Sequence, residues 1–514
     1  MEPYDAVVVG AGHNGLTCAA YLARAGLRTI VLERAERAGG ACVTDEPWPG
    51  YRVPGAAYAL SLLLPEVVDE LGLDLDVRAL DPQLFAPLDD GGGLFVWRDR
   101  ARTVDGIARL SQSDARGYAA FDDLFGDAAA RLTPLLTYPA TRAHVRRAFR
   151  KSEHENLFAR TVTGSIAEVC EQHFETDALR GLVASQGVTG TSAGPRTPGT
   201  AYVYLHHATG RAAGARGAWG FVRGGMGAVA DALEGAARAA GAEIRTGAEV
   251  ARVDVRDGRR AAGVVLASGE EIEARAVCSN ADPRRTVSLV PAGTLPPEFV
   301  EDVDLLPASG TVVKVDLALG ALPRWRGMGR DAGPEHRGLT VVAPSIDYLE
   351  DACRAAAGGE PAPAMACEVA LQSATEDGLA PAGKHVMTVL AQYAPYDLAR
   401  GTWGERRDEV GELVLTALER HAPGLTELVE HRRVLGPPDL EARFGLTGGH
   451  VFHGEVLPDW SFDARPSAPW HRYRTPLPGL YLCGAGAHPG GGVSGAPGRN
   501  AARAVLSDRV ARGD

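Results

Sequence analysis

The chain opens on a glycine turn between two apolar strands, and few folds accept that pattern. Ala6-Val7-Val8-Val9 is a short apolar run. Gly10-Ala11-Gly12-His13-Asn14-Gly15 follows at once, then a helical pattern, then Thr29-Ile30-Val31-Leu32-Glu33, then Gly39-Gly40. Strand, glycine turn, helix and a second strand ending in an acid make a βαβ dinucleotide-binding unit. Gly10 lets the chain turn out of the strand, Gly12 lets the backbone approach a pyrophosphate, and Gly15 lets the helix lie close to the sheet. The helix starting near His13 aims unpaired N–H groups and the positive end of its dipole at the phosphates. Glu33 lies 18 residues past Gly15, where its carboxylate accepts from ribose hydroxyls and repels a 2′-phosphate. The unit alone leaves FAD and NAD both open.

At 514 residues the chain exceeds one compact core, and two interleaved domains are expected. A formal net charge of −12 disfavours nucleic acid as a partner. No apolar run reaches the roughly 18 residues of a transmembrane helix. The acidic start Met1-Glu2-Pro3-Tyr4-Asp5 enters the first strand directly, so a cytoplasmic location is the expectation. Cys18, Cys42, Cys170, Cys278, Cys353, Cys367 and Cys483 are scattered with no CxxC, which suits a reducing compartment and argues against a redox-active pair. Cys42, just after the glycine pair, is the cysteine expected nearest a cofactor. The histidines show no metal-ligand spacing, and no metal is expected.

Ser61 to Gly72 predicts a short helix, with Pro65 in its first turn and Gly72 as its stop. Residues 76–217 hold no second glycine fingerprint, so a separate NAD(P)H domain is not expected. Within them, 141–160 carries Arg142, Arg146, Arg147, Arg150, Lys151 and Arg160, with Val145 and Phe149 at helical spacing. This basic amphipathic stretch is a candidate for peripheral contact with anionic lipid. After Gly224-Gly225-Met226-Gly227 comes a helix, then four strands, Ala242–Thr246, Glu249–Val255, Ala262–Ala267 and Glu271–Ser279, with turns at Asp257-Gly258 and Ser268-Gly269. Residues 291–434 mix strand and helix without a clear pattern.

A second glycine-rich segment stands near the C-terminus. Gly479-Leu480-Tyr481-Leu482-Cys483-Gly484 reads as a buried strand, Ala485 to Gly492 as a loop, and Val493 to Val505 as a helix. A NAD domain closes its sheet within one segment, whereas a flavin domain of the glutathione-reductase type takes its last strand and helix from far along the chain. A helix N-terminus near Val493 and Ser494 would stabilise the anion that forms on a reduced flavin ring. Eight glycines between Gly479 and Gly498 predict that something large lies against the backbone there.

The motifs VVVGAGHNGL, LHHATG, GAWGFVRGGMG, LGPPDLEARFGL and YLCGAGAHPGGGVSGAPGRNAA, in this order, resemble the pyridine nucleotide-disulphide oxidoreductase domain-containing protein 2 family. That family sits within the phytoene desaturase and retinol saturase group of FAD proteins. The resemblance implies a single non-covalent FAD and an α/β fold. A discontinuous Rossmann-type FAD-binding domain (1–75, 218–290 and 435–514) would carry an inserted α+β substrate domain (76–217 and 291–434). Gly10, Gly12, Gly15, Glu33, Gly39 and Gly40 would hold the ADP half, with His13, Asn14, Arg34 and Ala41 beside them and Val250 next to the adenine. Gly484, Gly492, Val493 and Ser494 would hold the ribityl and flavin end. Many relatives in the wider amine-oxidase and desaturase group carry an arginine after the glycine pair; here the residue is Ala41.

The expected reaction is hydride transfer from a substrate C–H to flavin N5, giving C=C or C=N in a small apolar or amine substrate, with oxygen, a quinone or another acceptor taking the electrons. Saturation or isomerisation of a polyene, and a non-catalytic FAD-bound interaction or redox-sensing protein, are the alternatives. His450, His453 and His488 are candidate catalytic bases, since imidazole accepts a proton near neutral pH. His206, His207, Trp219 and Tyr393 are candidate substrate-pocket residues.

Overall fold

The computed structural model describes residues 3–150 and 152–512. β1 (Tyr4–Val9) leads through the glycine turn into α1 (His13–Arg24) and back to β2 (Thr29–Leu32). β1 and β2 run parallel, with Ala6 opposite Thr29 and Val9 opposite Leu32. Ala6 and Val8 face one apolar cluster, while Val7 and Val9 face another. A parallel strand covered on both faces has this unbroken apolar sequence.

The strand Glu271–Ser279 ties the first sheet together. Its start pairs antiparallel with Arg260–Leu266, through Gly263 opposite Glu273. Its end lies parallel between β1 and Leu480–Leu482, with Val277 opposite both Val7 and Leu480. Glu243–Arg245 adds to the far side of β2. The strands predicted between 242 and 279 are continuous with the parallel sheet, because the last of them is its central strand. The architecture is α/β, with a Rossmann-type sheet completed from the far end of the chain.

Helix α1, the helix Gly227–Ala239 and the C-terminal helix Ala496–Arg512 share one face of this sheet, through Leu16, Val229, Leu233, Ala501 and Val505. A Cβ at Gly498 would stand 2.1 Å from the Asn14 carbonyl oxygen, so the two helix backbones touch. A Cβ at Gly15 would stand equally close to the Gly10 carbonyl oxygen, 2.1 Å away. The predicted helix after Ser61 spans Pro65–Leu71 and stops at left-handed Gly72.

A second sheet has the order Val429–Leu435, Val312–Leu319, His385–Gln392, Ala366–Ala370, Leu339–Val342, Leu84–Pro87, Gly93–Val96. It is antiparallel except where Leu339–Val342 meets Leu84–Pro87. Helices within 112–208 pack near it in a large shared core. The stretch 141–160 is not one helix. It forms an eight-residue helix, Arg142–Phe149, and later a turn at Ala159–Thr163. Val145 and Phe149 are buried in the core, and Arg142 pairs with Asp463, so the apolar face a lipid contact needs is turned inward. Lys151 lies outside the described residues. No helix among the described residues is long and apolar enough to cross a membrane.

Gly498→Val should destabilise the protein by at least about 1–3 kcal/mol, because overpacking here meets backbone rather than a movable side chain. Gly235→Ala, in the exposed part of Gly227–Ala239 where a Cβ meets nothing, should instead be neutral or stabilise by up to about 1 kcal/mol. Thermal melts of the two variants check the contrast; equal melting temperatures would mean that the helices do not touch at Gly498.

Candidate cofactor and substrate cavities

The glycine turn opens on a cavity of about 430 Å³ at the carboxyl ends of the parallel strands, where ligands of open α/β sheets bind. Gly12 precedes α1 without a side-chain cap, so the first-turn N–H groups have no side-chain partner. Gly10, Gly12, His13, Asn14, Glu33, Arg34, Gly40, Ala41 and Val250 line the cavity, and His453 lies on its wall with Ala485. Glu33 is buried. Its Oε2 accepts from the Ala11 N–H at 2.7 Å and its Oε1 from the Ala35 N–H at 2.9 Å. Those bonds aim the carboxylate, and each oxygen retains a lone pair for a second donor.

Among the described residues, four buried polar atoms on cavity residues have no hydrogen-bond partner: His13 Nε2, Asn14 Oδ1, Arg285 Nε (which faces Asp282 only at ion-pair distance, 3.9 Å) and His453 Nδ1. Buried polar atoms are normally satisfied. A set of orphans converging on one cavity fits a polar ligand carrying both donors and acceptors. An elongated dinucleotide flanked by Glu33 at one end and arginines along its length meets that description.

Several lining residues escaped the sequence reading. Asn280 follows the central strand, with its N–H donating to the Val9 carbonyl at 2.8 Å. Its side chain covers the glycine turn so closely that a Cβ on Gly12 would stand 2.8 Å from Asn280 Nδ2. Its position just past the end of a parallel strand was the available signal. Arg34 Nη2 donates to the Ala442 and Arg443 carbonyls at 3.0 and 3.1 Å, tying the helix Pro437–Phe444 over the cavity. Arg443 in turn pairs with Asp45, another wall residue.

Gly15 and Gly39 lie behind the wall and shape it. Gly39 donates its N–H to the Ala11 carbonyl at 2.9 Å, locking the glycine pair against the turn. The C-terminal glycines do something other than predicted. A Cβ at Gly484 would meet the Asn280 carbonyl, one at Gly486 would meet Pro283, one at Gly491 Phe452, and one at Gly492 Leu62. Much of what lies against this backbone is the protein itself. Val493 and Ser494 precede the helix, which begins at Ala496 and not at Val493. None of Gly484, Gly492, Val493 and Ser494 lines the 430 Å³ cavity. Cys42 is also off its wall; the buried Sγ stands 3.7 Å from His13 Nδ1, and burial pushes the thiol up to about 12.

The three candidate bases separate. His488 Nε2 donates to the Leu135 carbonyl at 2.9 Å, and burial lowers its pKa to about 4. It anchors the loop to the neighbouring helical layer. His450 Nδ1 accepts from the Phe452 N–H at 3.3 Å, and burial lowers it to about 3. His453 alone reaches the cavity, on a backbone with φ 57°. Burial lowers its pKa too, and Arg465 and Arg285 add to that while Asp282 opposes. Buried Arg465 holds the whole turn, donating to the carbonyls of Phe452, Glu455 and Ala485 at 2.6, 2.6 and 3.0 Å.

A second cavity of about 350 Å³ lies between the helical layer and the second sheet, with His207 and Trp219 in its wall. Burial lowers His207 to about 3. Its ring lies 6.1 Å from that of Phe452, which covers Gly491. The preceding His206 donates from Nε2 to the Gly491 carbonyl at 3.0 Å. This cavity thus backs onto the glycine loop. Tyr393 does not line it; it is buried in the core, with its hydroxyl donating to the Ala193 carbonyl at 2.9 Å.

Residues 15–506 match the family model described as flavin containing amine oxidoreductase. The mouse pyridine nucleotide-disulfide oxidoreductase domain-containing protein 2 is 37% identical over 98% of this chain and 94% of its own length. A hydroxyneurosporene desaturase of Cereibacter sphaeroides is 30% identical, covering 98% of each chain. The crystal structure of an oxidoreductase from Methanosarcina mazei superposes with a TM-score of 0.62 at 20% identity, over 98% of this chain and 99% of that one. With its Rossmann-type sheet and the polar cavity at the strand ends, the chain belongs to the flavin containing amine oxidoreductase family and is an FAD-dependent oxidoreductase.

Proposed function

We propose that the chain binds FAD non-covalently in the 430 Å³ cavity and oxidises a small substrate reached through the 350 Å³ cavity. The observation that carries the reading is the convergence of His13 Nε2, Asn14 Oδ1, Arg285 Nε and His453 Nδ1, none with a hydrogen-bond partner among the described residues, on the first cavity. Bound FAD would supply hydride acceptance from a substrate C–H bond, with the proton of the adjacent C–H or N–H passing to a base or to solvent so that C=C or C=N is left, and oxygen, a quinone or another acceptor would take the electrons.

The protein's own share is positioning and exclusion of water. Glu33 orients the adenosine ribose, with Val250 beside the adenine. Gly12, His13 and Asn14 present the start of α1 to the pyrophosphate, Gly10 and Gly15 let the turn and the helix lie close enough for that, and Arg34, Gly40 and Ala41 close around it with Gly39 behind them. Gly484, Gly492, Val493 and Ser494 form the more distant floor of the flavin end. The second sheet and its helical layer form the substrate domain. His453 is the remaining candidate base, since His450 and His488 are held by backbone partners and lowered to about 3 and about 4. The relative that is a desaturase favours carbon–carbon desaturation over amine oxidation.

Purified protein should be yellow and release FAD on denaturation. Glu33→Gln puts an amide where two backbone N–H groups donate, and a charge-assisted bond contributes about 1.5–3 kcal/mol. FAD affinity should fall about tenfold to a hundredfold, read by fluorescence titration of the apoprotein; unchanged affinity would remove Glu33 from the site. Anaerobic addition of candidate polyenes, terpenes and amines should bleach the flavin with one of them. If none ever does, the enzyme acts on nothing of these classes and the non-catalytic reading gains.

The buried histidines also set a pH dependence. His13 and His488 are lowered from 6.5 to about 4, and His207 and His450 to about 3, burial being the main cause in each. An unfolded chain protonates them near pH 6.5 whereas the folded one does not. The unfolded state therefore binds more protons, and stability falls as pH drops from 6.5 toward 4.5. Each contributes up to about 1.4 kcal/mol per pH unit. Melting temperature should decline steadily across this window, before most carboxylates begin to protonate. His488→Gln, which retains a donor for Leu135, should make the decline shallower. A flat profile would show that these rings are hydrated.

A further inference from the structure

We propose that the 350 Å³ cavity admits a planar, conjugated anion, a carboxylate in the first instance, and rejects an ammonium. The inference rests on the reading above, in which this cavity is the substrate's route to the flavin. Its volume falls within the usual range for small-ligand pockets. Its inner surface is aromatic: Trp97, Tyr118, Tyr204 and Trp219 lead to His207, whose ring is 5.6 Å from that of Trp219. Its mouth is cationic, with the exposed side chains of Arg98, Arg100 and Arg216 facing a single carboxylate, Asp122.

The charges at the mouth do not cancel. Arg100 is paired, at 2.7 Å from Asp123 and 3.4 Å from Asp122. Among the described residues no carboxylate ion-pairs with Arg98 or Arg216; the Arg216 guanidinium donates only to the Gly126 carbonyl, at 2.9 Å. Asp122 is shared between Arg100 and, at longer range, Arg216, and is partly desolvated, with its pKa raised by burial, so one carboxylate faces three guanidiniums. Arg102 adds positive charge behind the aromatic wall, 3.2 Å from the Trp97 ring centroid. In a chain of net charge −12, two arginines with no carboxylate at ion-pair distance, at the rim of an aromatic cleft, single out that mouth as a place where an anion is attracted. A guanidinium matches a carboxylate in two-pronged geometry, and the aromatic faces take up a flat hydrocarbon body. An amine cation would meet the same arginines as repulsion. The floor carries no full charge: His207 is lowered to about 3, and the Gln186 amide donates away to Glu368 at 2.9 Å. The anionic group therefore stays at the mouth and the apolar portion points toward the flavin loop.

The test uses three probes of one shape and different charge: trans-cinnamate, cinnamyl alcohol and cinnamylamine. Calorimetric titration of the FAD-loaded protein at low salt should rank cinnamate at least about tenfold tighter than the amine, with the alcohol between, and added salt should narrow the gap. The double variant Arg98→Gln/Arg216→Gln, on exposed side chains, should abolish the preference while leaving alcohol binding and FAD content unchanged. Equal binding of the three, tighter binding of the amine, no binding of any, or a preference that survives the double variant would overturn the proposal. FAD content and flavin bleaching are measured separately, so loss of the flavoenzyme reading is distinguishable from loss of this one.

Discussion

One strand holds the molecule's two ends together. Glu271–Ser279 hydrogen-bonds to β1 on one side and to Leu480–Leu482 on the other, and antiparallel to Arg260–Leu266 at its start. Parallel pairing cannot be made by a hairpin, so the intervening chain has to leave the sheet and return. That return places Asn280 over the glycine turn and brings the helix Ala496–Arg512 into contact with α1. Without the strand, the glycine turn would be a loop with no opposite wall.

The cofactor cavity shows what burial does to polar chemistry. Its histidines are neutral at physiological pH because burial removes the hydration a charged ring needs and the protein does not replace it. A neutral imidazole with one free nitrogen is suited to hydrogen bonding with a bound dinucleotide, and it is the form in which an imidazole acts as a base. The glycine-rich C-terminal loop follows the same logic of close packing. Its missing side chains make room chiefly for Asn280, Pro283, Phe452 and Leu62, and this rigid packing fixes the loop beside the cofactor cavity.

The two cavities differ in how their charges are used. In the first, Arg34, Arg443 and Asp45 are bound to backbone or to each other, and the wall is stitched shut. In the second, the arginines at the mouth remain largely open. Exposed charges of this kind contribute little to stability, since solvent screens them. Their proposed effect is on what approaches the cavity rather than on how firmly the chain is folded.

The βαβ unit was legible from residues 6–40 because its signals are local: a turn demands glycine, a doubly covered strand demands continuous apolar residues, and Glu33 ends the second strand. The C-terminal strand and helix were legible for the same reason. The three candidate histidines looked alike in sequence, and only tertiary contacts separated them: Leu135 holds His488, Phe452 holds His450, and His453 alone faces the cavity. Likewise nothing local distinguishes Trp219, on a cavity wall, from Tyr393, in the core. The amphipathic stretch at 141–160 gave the right apolar spacing and the wrong partner, because spacing says that a face is buried and not what buries it. Asn280, Arg98 and Arg216 act through neighbours hundreds of residues away or across a cleft, and no local pattern encodes that. The sequence by itself determined the dinucleotide grip and its position; which polar groups face the cofactor and which charge guards the second cavity were decided only when long-range packing chose who is buried beside whom.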